Sequence, residues 1–169
     1  MKKSVRIFAV SLLVLATLLS AFGCRDDGDG DVKKYTESGL VYYLPRTMEE
    51  MNVTYADVCY GDGEAEFFVY FYTSDQLLAE LYMDKDSTVK EYATWFANVN
   101  GYKNITEEYD EAGAKITMRY LYEDENDFYF DYILRNEDML YHVTMFCSAE
   151  KREIYEPLFE EWRSNIRID

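Results

Sequence analysis

Residues 114–147 read AKITMRYLYE (114–123), DEN (124–126), DFYFDYILR (127–135), NED (136–138) and MLYHVTMFC (139–147), and this stretch decides the fold. Three runs rich in aromatic and β-branched residues are separated by polar triplets. A fourth run, Lys103–Tyr109, precedes them across Glu111-Ala112-Gly113. Short polar separators of this kind suit antiparallel hairpin turns. Parallel strands would need crossovers of a dozen residues or more, so a βαβ-wound sheet is excluded.

Moving outward, Glu64–Thr73 is almost continuously aromatic or β-branched, as a central strand covered on both faces should be. Gly61-Asp62-Gly63 turns the chain back onto a predicted strand Val53–Tyr60, which gives another hairpin. Leu40–Leu44 is a short strand stopped by Pro45. Ser74–Met83 reads as a short helix. A second helix is opened by Ser87 or Thr88, carries Val89, Tyr92, Ala93, Phe96 and Val99 at helical spacing, and ends at Gly101. Tyr155, Leu158, Phe159, Trp162 and Ile166 mark the apolar stripe of a C-terminal helix, with Ser148 as the expected cap and Pro157 placing its start near Glu156. The order predicts an α+β domain: an antiparallel sheet of about six strands with two main helices packed on it.

The N-terminus is of another kind. Lys2, Lys3 and Arg6 precede sixteen mostly apolar residues, Ile7–Phe22, and the run closes on Ala21-Phe22-Gly23-Cys24. A basic opening, an apolar stretch and small residues form a secretory-signal pattern. A spanning helix would need about 20 apolar residues, and Ser11, Thr17 and Ser20 dilute the sixteen available. Gly23-Cys24 matches the end of a lipobox, so the expectation is a signal peptide over 1–23 and a mature chain that starts at a lipid-modified Cys24. The anchor would place the protein on the extracytoplasmic face of the cell membrane. Residues 24–38 read as a flexible acidic tether and residues 39–169 as the folded domain. Asp27-Gly28-Asp29-Gly30-Asp31 is not an EF-hand, because Val32 and Ser38 stand where that loop needs Gly and Glu.

Removing residues 1–23 from the 169 leaves 146, with 14 basic against 33 acidic side chains and a formal charge of −19. Nucleic acid and anionic lipid are therefore excluded as direct partners. Cys59 and Cys147 remain outside the cytosol, where a disulfide is chemically allowed, although a domain of this size does not need one.

No catalytic constellation emerges. His142 is the only histidine and lies in a predicted strand, where the pleat turns it away from Cys147. The sequence holds neither a Gly-rich phosphate loop nor a Gly-x-Ser-x-Gly elbow. Histidine and cysteine are too few for a zinc set. Carboxylate pairs such as Glu107-Glu108 and Asp124-Glu125 fall mostly in predicted turns. Seventeen tyrosines are the remaining peculiarity. Tyr70, Tyr72, Tyr120, Tyr122 and Tyr129 recur on strands at or near period two, and are candidates for an aromatic platform that binds a glycan, peptide or protein.

Three segments carry a family resemblance: Gly39-Leu40-Val41-Tyr42-Tyr43-Leu44-Pro45, Tyr60-Gly61-Asp62-Gly63-Glu64-Ala65-Glu66-Phe67, and Tyr155-Glu156-Pro157-Leu158-Phe159-Glu160-Glu161-Trp162 with Ile166. In order and spacing they resemble bacterial lipoproteins of the PsbP/Mog-like superfamily. Arg46-Thr47-Met48 departs from the Gly-Trp that continues this segment in many relatives. The resemblance implies an α/β/α sandwich. It also implies an accessory or assembly role, as in the extrinsic photosystem subunit and a Ran-binding factor, with no shared catalytic residue. The expectation is a lipid-anchored, non-enzymatic binding module without a cofactor, acting on an unknown protein or envelope partner. The alternatives are a carboxylate-dependent hydrolase of envelope or extracellular glycans, and a weak divalent-metal binder.

Overall fold

A computed structural model of the chain describes residues 31–102, 105–109, 115–122 and 126–169, with the backbone alone for 109 and 119–122. Cys24 and the signal peptide lie outside the described residues. Val32–Asp169 forms one compact unit.

Its centre is a seven-stranded antiparallel sheet in the order β3-β4-β5-β9-β8-β7-β6. The strands are β3 (Glu49–Glu50), β4 (Val58–Gly61), β5 (Ala65–Thr73), β6 (Thr106–Tyr109), β7 (Lys115–Tyr122), β8 (Asp127–Arg135) and β9 (Met139–Ser148). The stretch that decides the fold supplies β7, β8 and β9. Its Asn136-Glu137-Asp138 turn is held by the Asn136 carboxamide oxygen, which accepts the Asp138 and Met139 amides at 2.9 and 2.8 Å. A second, three-stranded sheet runs β1-β2-β10 (Val32–Glu37, Leu40–Pro45, Arg167–Ile168). The sheets therefore hold more strands than the six expected.

Three helices complete the described fold: α1 (Ser74–Leu81), α2 (Val89–Asn100) and α3 (Arg152–Ser164). Thr73 with Gln76, and Thr88 with Glu91, make reciprocal capping boxes, which fix where α1 and α2 begin. Gly101 ends α2 in the left-handed region at φ 70°. Arg135, at the end of β8, donates to the Ser87 and Lys85 carbonyls and to the Ser74 hydroxyl, tying the α1–α2 connection to the sheet.

Three sequence expectations need correction. Val32–Glu37, read as tether, is strand β1, and a two-residue turn joins it to β2. Ser38 (φ 50°) and Gly39 (φ 83°) take the left-handed pair such turns require, so the folded unit starts before residue 39. The positive φ explains the glycine, and the Tyr141 hydroxyl donates to the Ser38 carbonyl of the same turn at 2.9 Å.

The predicted strand Val53–Tyr60 begins only at Val58. At Asp57 a side chain replaces the ladder, its carboxylate accepting the Phe71 amide at 2.8 Å. The C-terminal helix starts at Arg152 rather than near Glu156, with Pro157 inside it and no capping bond from Ser148. Burial of Tyr155 against the core outweighs the amide bond that Pro157 cannot make.

Candidate binding face

Directly opposed residues of antiparallel strands project to the same side, so register assigns every residue of the large sheet to a face. On one face Phe67, Phe128, Phe130, Val143, Met145 and Cys147 are fully buried beneath α3 and the small sheet. Phe159 of α3 packs on Phe128 and Phe130 at centroid distances of 6.4 and 6.1 Å, and Tyr42 of β2 stacks on Phe67 at 5.0 Å. This is the α3 face.

The opposite, α2 face falls into three zones. At one end Leu140 and Ile133 are buried under α1 and α2 with Leu77, Val89 and Ala93. At the centre lies a buried polar network. His142 and Asp131 are fully buried, Thr144 nearly so, and Tyr92 of α2 comes down on them. The Thr144 hydroxyl donates to Asp131 Oδ1 at 2.6 Å, and His142 Nε2 stands 3.2 Å from the same oxygen. For a neutral ring this makes Nε2 the donor and leaves Nδ1 to accept from the Tyr92 hydroxyl, 3.0 Å away. Burial first, then the neighbouring Tyr72, pushes the Tyr92 hydroxyl well above its ordinary range. The ring of Phe96 stands edge-on to His142 at 4.5 Å and Tyr70 lies at 5.6 Å, which separates the imidazole from solvent. The chain therefore buries its only histidine as a tie between α2 and the sheet.

In the third zone rings take over from aliphatic side chains, with Tyr72 meeting Tyr92 of α2 at 5.9 Å and Tyr129 packed against the cluster beneath α1 and α2. Phe68 (β5), Phe146 (β9) and Tyr129 (β8) form a continuous ring strip, Phe68 to Phe146 at 5.5 Å and Tyr129 stacked on Phe146 at 5.4 Å and 17°. Tyr55, from the 51–57 loop, stands edge-on to Phe68 at 5.8 Å and is 54% exposed. Tyr70 and Tyr72 extend the strip along β5, stacked at 6.5 Å and 11°. Phe146, Tyr129, Tyr70 and Tyr72 are half-buried.

Two carboxylates, Glu66 and Asp127, close the outer margin. Burial raises both pKa values from their ordinary ones; for Glu66 a Tyr55 hydrogen bond opposes the shift and the Asp127 charge adds to it. Neither is in an ion pair among the described residues. Burial likewise raises the Cys59 thiol on β4, with Glu66 adding to the effect.

Of the aromatic positions singled out by sequence, Tyr70, Tyr72 and Tyr129 share this face. The backbone register sets Tyr120 opposite Tyr129 and Tyr122 opposite Asp127, while their side chains lie outside the described residues. Sequence reading missed Tyr55, Phe68, Phe146 and Glu66. Cys59 and Cys147 are both free. The disulfide that sequence allows is not made, because Cys59 sits opposite Phe68 on the α2 face whereas Cys147 sits opposite Ala65 on the α3 face. Burial holds the Cys147 thiol at about 11.

Among the described residues no group of three or more His, Cys, Asp or Glu side chains could hold a metal, and no helix is long and apolar enough to cross a membrane. A cavity of about 520 Å³ under the 51–57 loop is lined by Glu37, Glu50, Asp57 and Tyr60 among others, and includes neither Glu66 nor Asp127. The Glu66–Asp127 pair thus lies on a pleated face rather than within that cavity.

Together these elements define an α+β sandwich built on an antiparallel sheet. Among solved structures the chain is similar to the solution structure of cyanobacterial PsbP (CyanoP) from Synechocystis sp. PCC 6803, at 15% identity and a TM-score of 0.61, covering 87% of this chain and 98% of that one. A Pseudomonas aeruginosa protein of unknown function, described as a putative regulator, overlaps at 11% identity and a TM-score of 0.39, covering 78% of this chain and 93% of that one. No family model and no curated protein matches the chain.

Proposed function

We propose that the protein is a lipid-anchored extracytoplasmic accessory module, non-enzymatic, that binds a protein or envelope partner through the open third of its α2 face. The observation that carries this reading is the ring strip Tyr55–Phe68–Phe146–Tyr129, in which Tyr55 is exposed and Phe146 and Tyr129 are half-buried, whereas Phe128, Phe130 and Met145 on the other face of the same strands are fully buried. Aromatic rings with polar tips are favoured where a surface is wet when alone and dry when partnered. The signal pattern ending at Cys24 and the PsbP/Mog-like resemblance support an anchored, accessory role. Two or three acyl chains on Cys24 would hold the protein stably at the membrane.

Two measurements test the two halves of the proposal. Intact-mass spectrometry of the membrane-extracted chain should find a mature protein beginning at acylated Cys24, and Cys24→Ala should release it from the membrane. An unmodified thiol contradicts the anchor. A photo-cross-linking residue at position 55 should yield a discrete adduct in intact cells, whereas one at Ile154, 64% exposed on α3, should not. Equal labelling from both positions contradicts the binding face.

A further inference from the structure

The open third of the α2 face combines rings with carboxylates in a way that selects the charge of what covers it. Register places acidic Glu49, Glu66 and Asp127 toward this end. The one basic residue it places on the α2 face is Arg135, at the far end, with its guanidinium engaged by the α1–α2 connection.

We propose that this surface docks a basic, extended segment of a partner protein, with Lys or Arg side chains lying on Tyr55 and Tyr129 and their charges meeting Glu66 and Asp127. The inference rests on the binding-face reading and names the partner's chemistry. Aromatic faces attract cations through their quadrupole, most strongly once the site is desolvated. Glu66 and Asp127 are half-buried on the same face, on the two strands that flank β9, and have no counter-ion among the described residues, so an arriving guanidinium or ammonium supplies the charge they lack. A neutral glycan could stack on the rings but would leave both carboxylates uncompensated. An anionic headgroup would be repelled. The long-range field points the same way, because a chain with 33 acidic and 17 basic residues draws cationic segments toward it.

The test titrates the full chain, in an uncharged detergent, with a synthetic peptide alternating Arg and Val, followed by calorimetry. An otherwise identical Glu–Val peptide and a neutral chitin-derived tetrasaccharide serve as comparators. The Arg peptide should bind, and should weaken as salt rises from about 0.05 to about 0.5 M. The double variant Glu66→Gln/Asp127→Asn should bind it roughly tenfold more weakly. Tyr55→Ser should weaken it as well. Glu137→Gln/Glu153→Gln, which removes the same two charges from a distant turn and from α3, should leave affinity unchanged within about twofold. Circular dichroism and melting of each variant establish that it is folded.

The proposal is overturned by preference for the saccharide or the Glu peptide, by absent binding, by equal loss from both double variants, or by self-association that Tyr55→Ser abolishes. Failure here is distinct from failure of the binding face. An adduct at position 55 with no affinity for the Arg peptide removes the basic partner and keeps the face, whereas no adduct at position 55 removes both.

Discussion

Phe128 and Phe130 on the α3 face are fully buried, while Tyr129 between them, on the α2 face, is half-buried and stacked on an equally half-buried Phe146. Strand β9 shows the same split. Tyr141, Val143, Met145 and Cys147 point into a dry core, whereas His142 and Thr144 enter a polar network and Phe146 reaches a surface without a helix over it. One face is composed as a stability device. The other spends buried area on a histidine, an aspartate, a threonine hydroxyl and a tyrosine hydroxyl that apolar residues of similar volume could replace, and leaves its last third half-buried. Stability alone does not select that composition. The difference assigns structure to the α3 face and recognition to the α2 face, with the His142 network as the brace between α2 and the sheet.

Substitutions can break or sharpen this division. The largest expected effect is on the α3 face. Phe159→Ala removes a fully buried ring packed on four others and should cost about 3–5 kcal/mol in chemical denaturation. Next is the brace: Tyr92→Phe deletes the hydroxyl that His142 Nδ1 accepts from and should cost about 1–2 kcal/mol. Amide exchange should accelerate in α2 and not in α3. A uniform acceleration would mean that the two faces are not separable.

Smaller, and of opposite sign, is Glu66→Gln. A carboxyl whose folded pKa is raised stabilises the fold while protonated, below its unfolded value, and that contribution is lost as pH climbs through the folded value. Glu66 and Asp127 are both raised, so each opposes folding at neutral pH. Glu66→Gln should therefore raise the melting temperature at pH 7 by roughly 2–4 °C, and the gain should vanish below the ordinary carboxylate range. The smallest effect on stability is that of Tyr55→Ser, within about 0.5 kcal/mol, because the ring is more than half exposed on a loop.

Much of the fold was legible. Alternating strands with three-residue polar separators gave β7, β8 and β9, and Thr88 with Gly101 bounded α2. Strand β1 was not legible, because Lys33, Lys34 and Glu37 of an edge strand stay in water and leave no apolar alternation to read. The helical Pro157 was misread for the complementary reason: burial of Tyr155 and Phe159 overrides a local signal.

The candidate site was half legible. Period two put Tyr70, Tyr72 and Tyr129 among the candidates, but whether a ring on a strand is covered depends on where α2 lands, which no local pattern contains. Phe68, Phe146 and Tyr55 became visible only with that placement. Asp131 did leave a trace, a carboxylate in the middle of DFYFDYILR, where a buried acid must find donors.

The central claim, that the open third of the α2 face is the working surface, is tested most directly by hydroxyl-radical footprinting of the full chain. Oxidation in intact membranes is compared with oxidation of the purified protein in detergent. The account predicts that Tyr55, Tyr129 and Phe146 are protected in membranes relative to detergent, while Ile154 on α3 is oxidised equally in both. Equal oxidation of Tyr55, Tyr129 and Phe146 in the two states, or protection confined to Ile154, would contradict it.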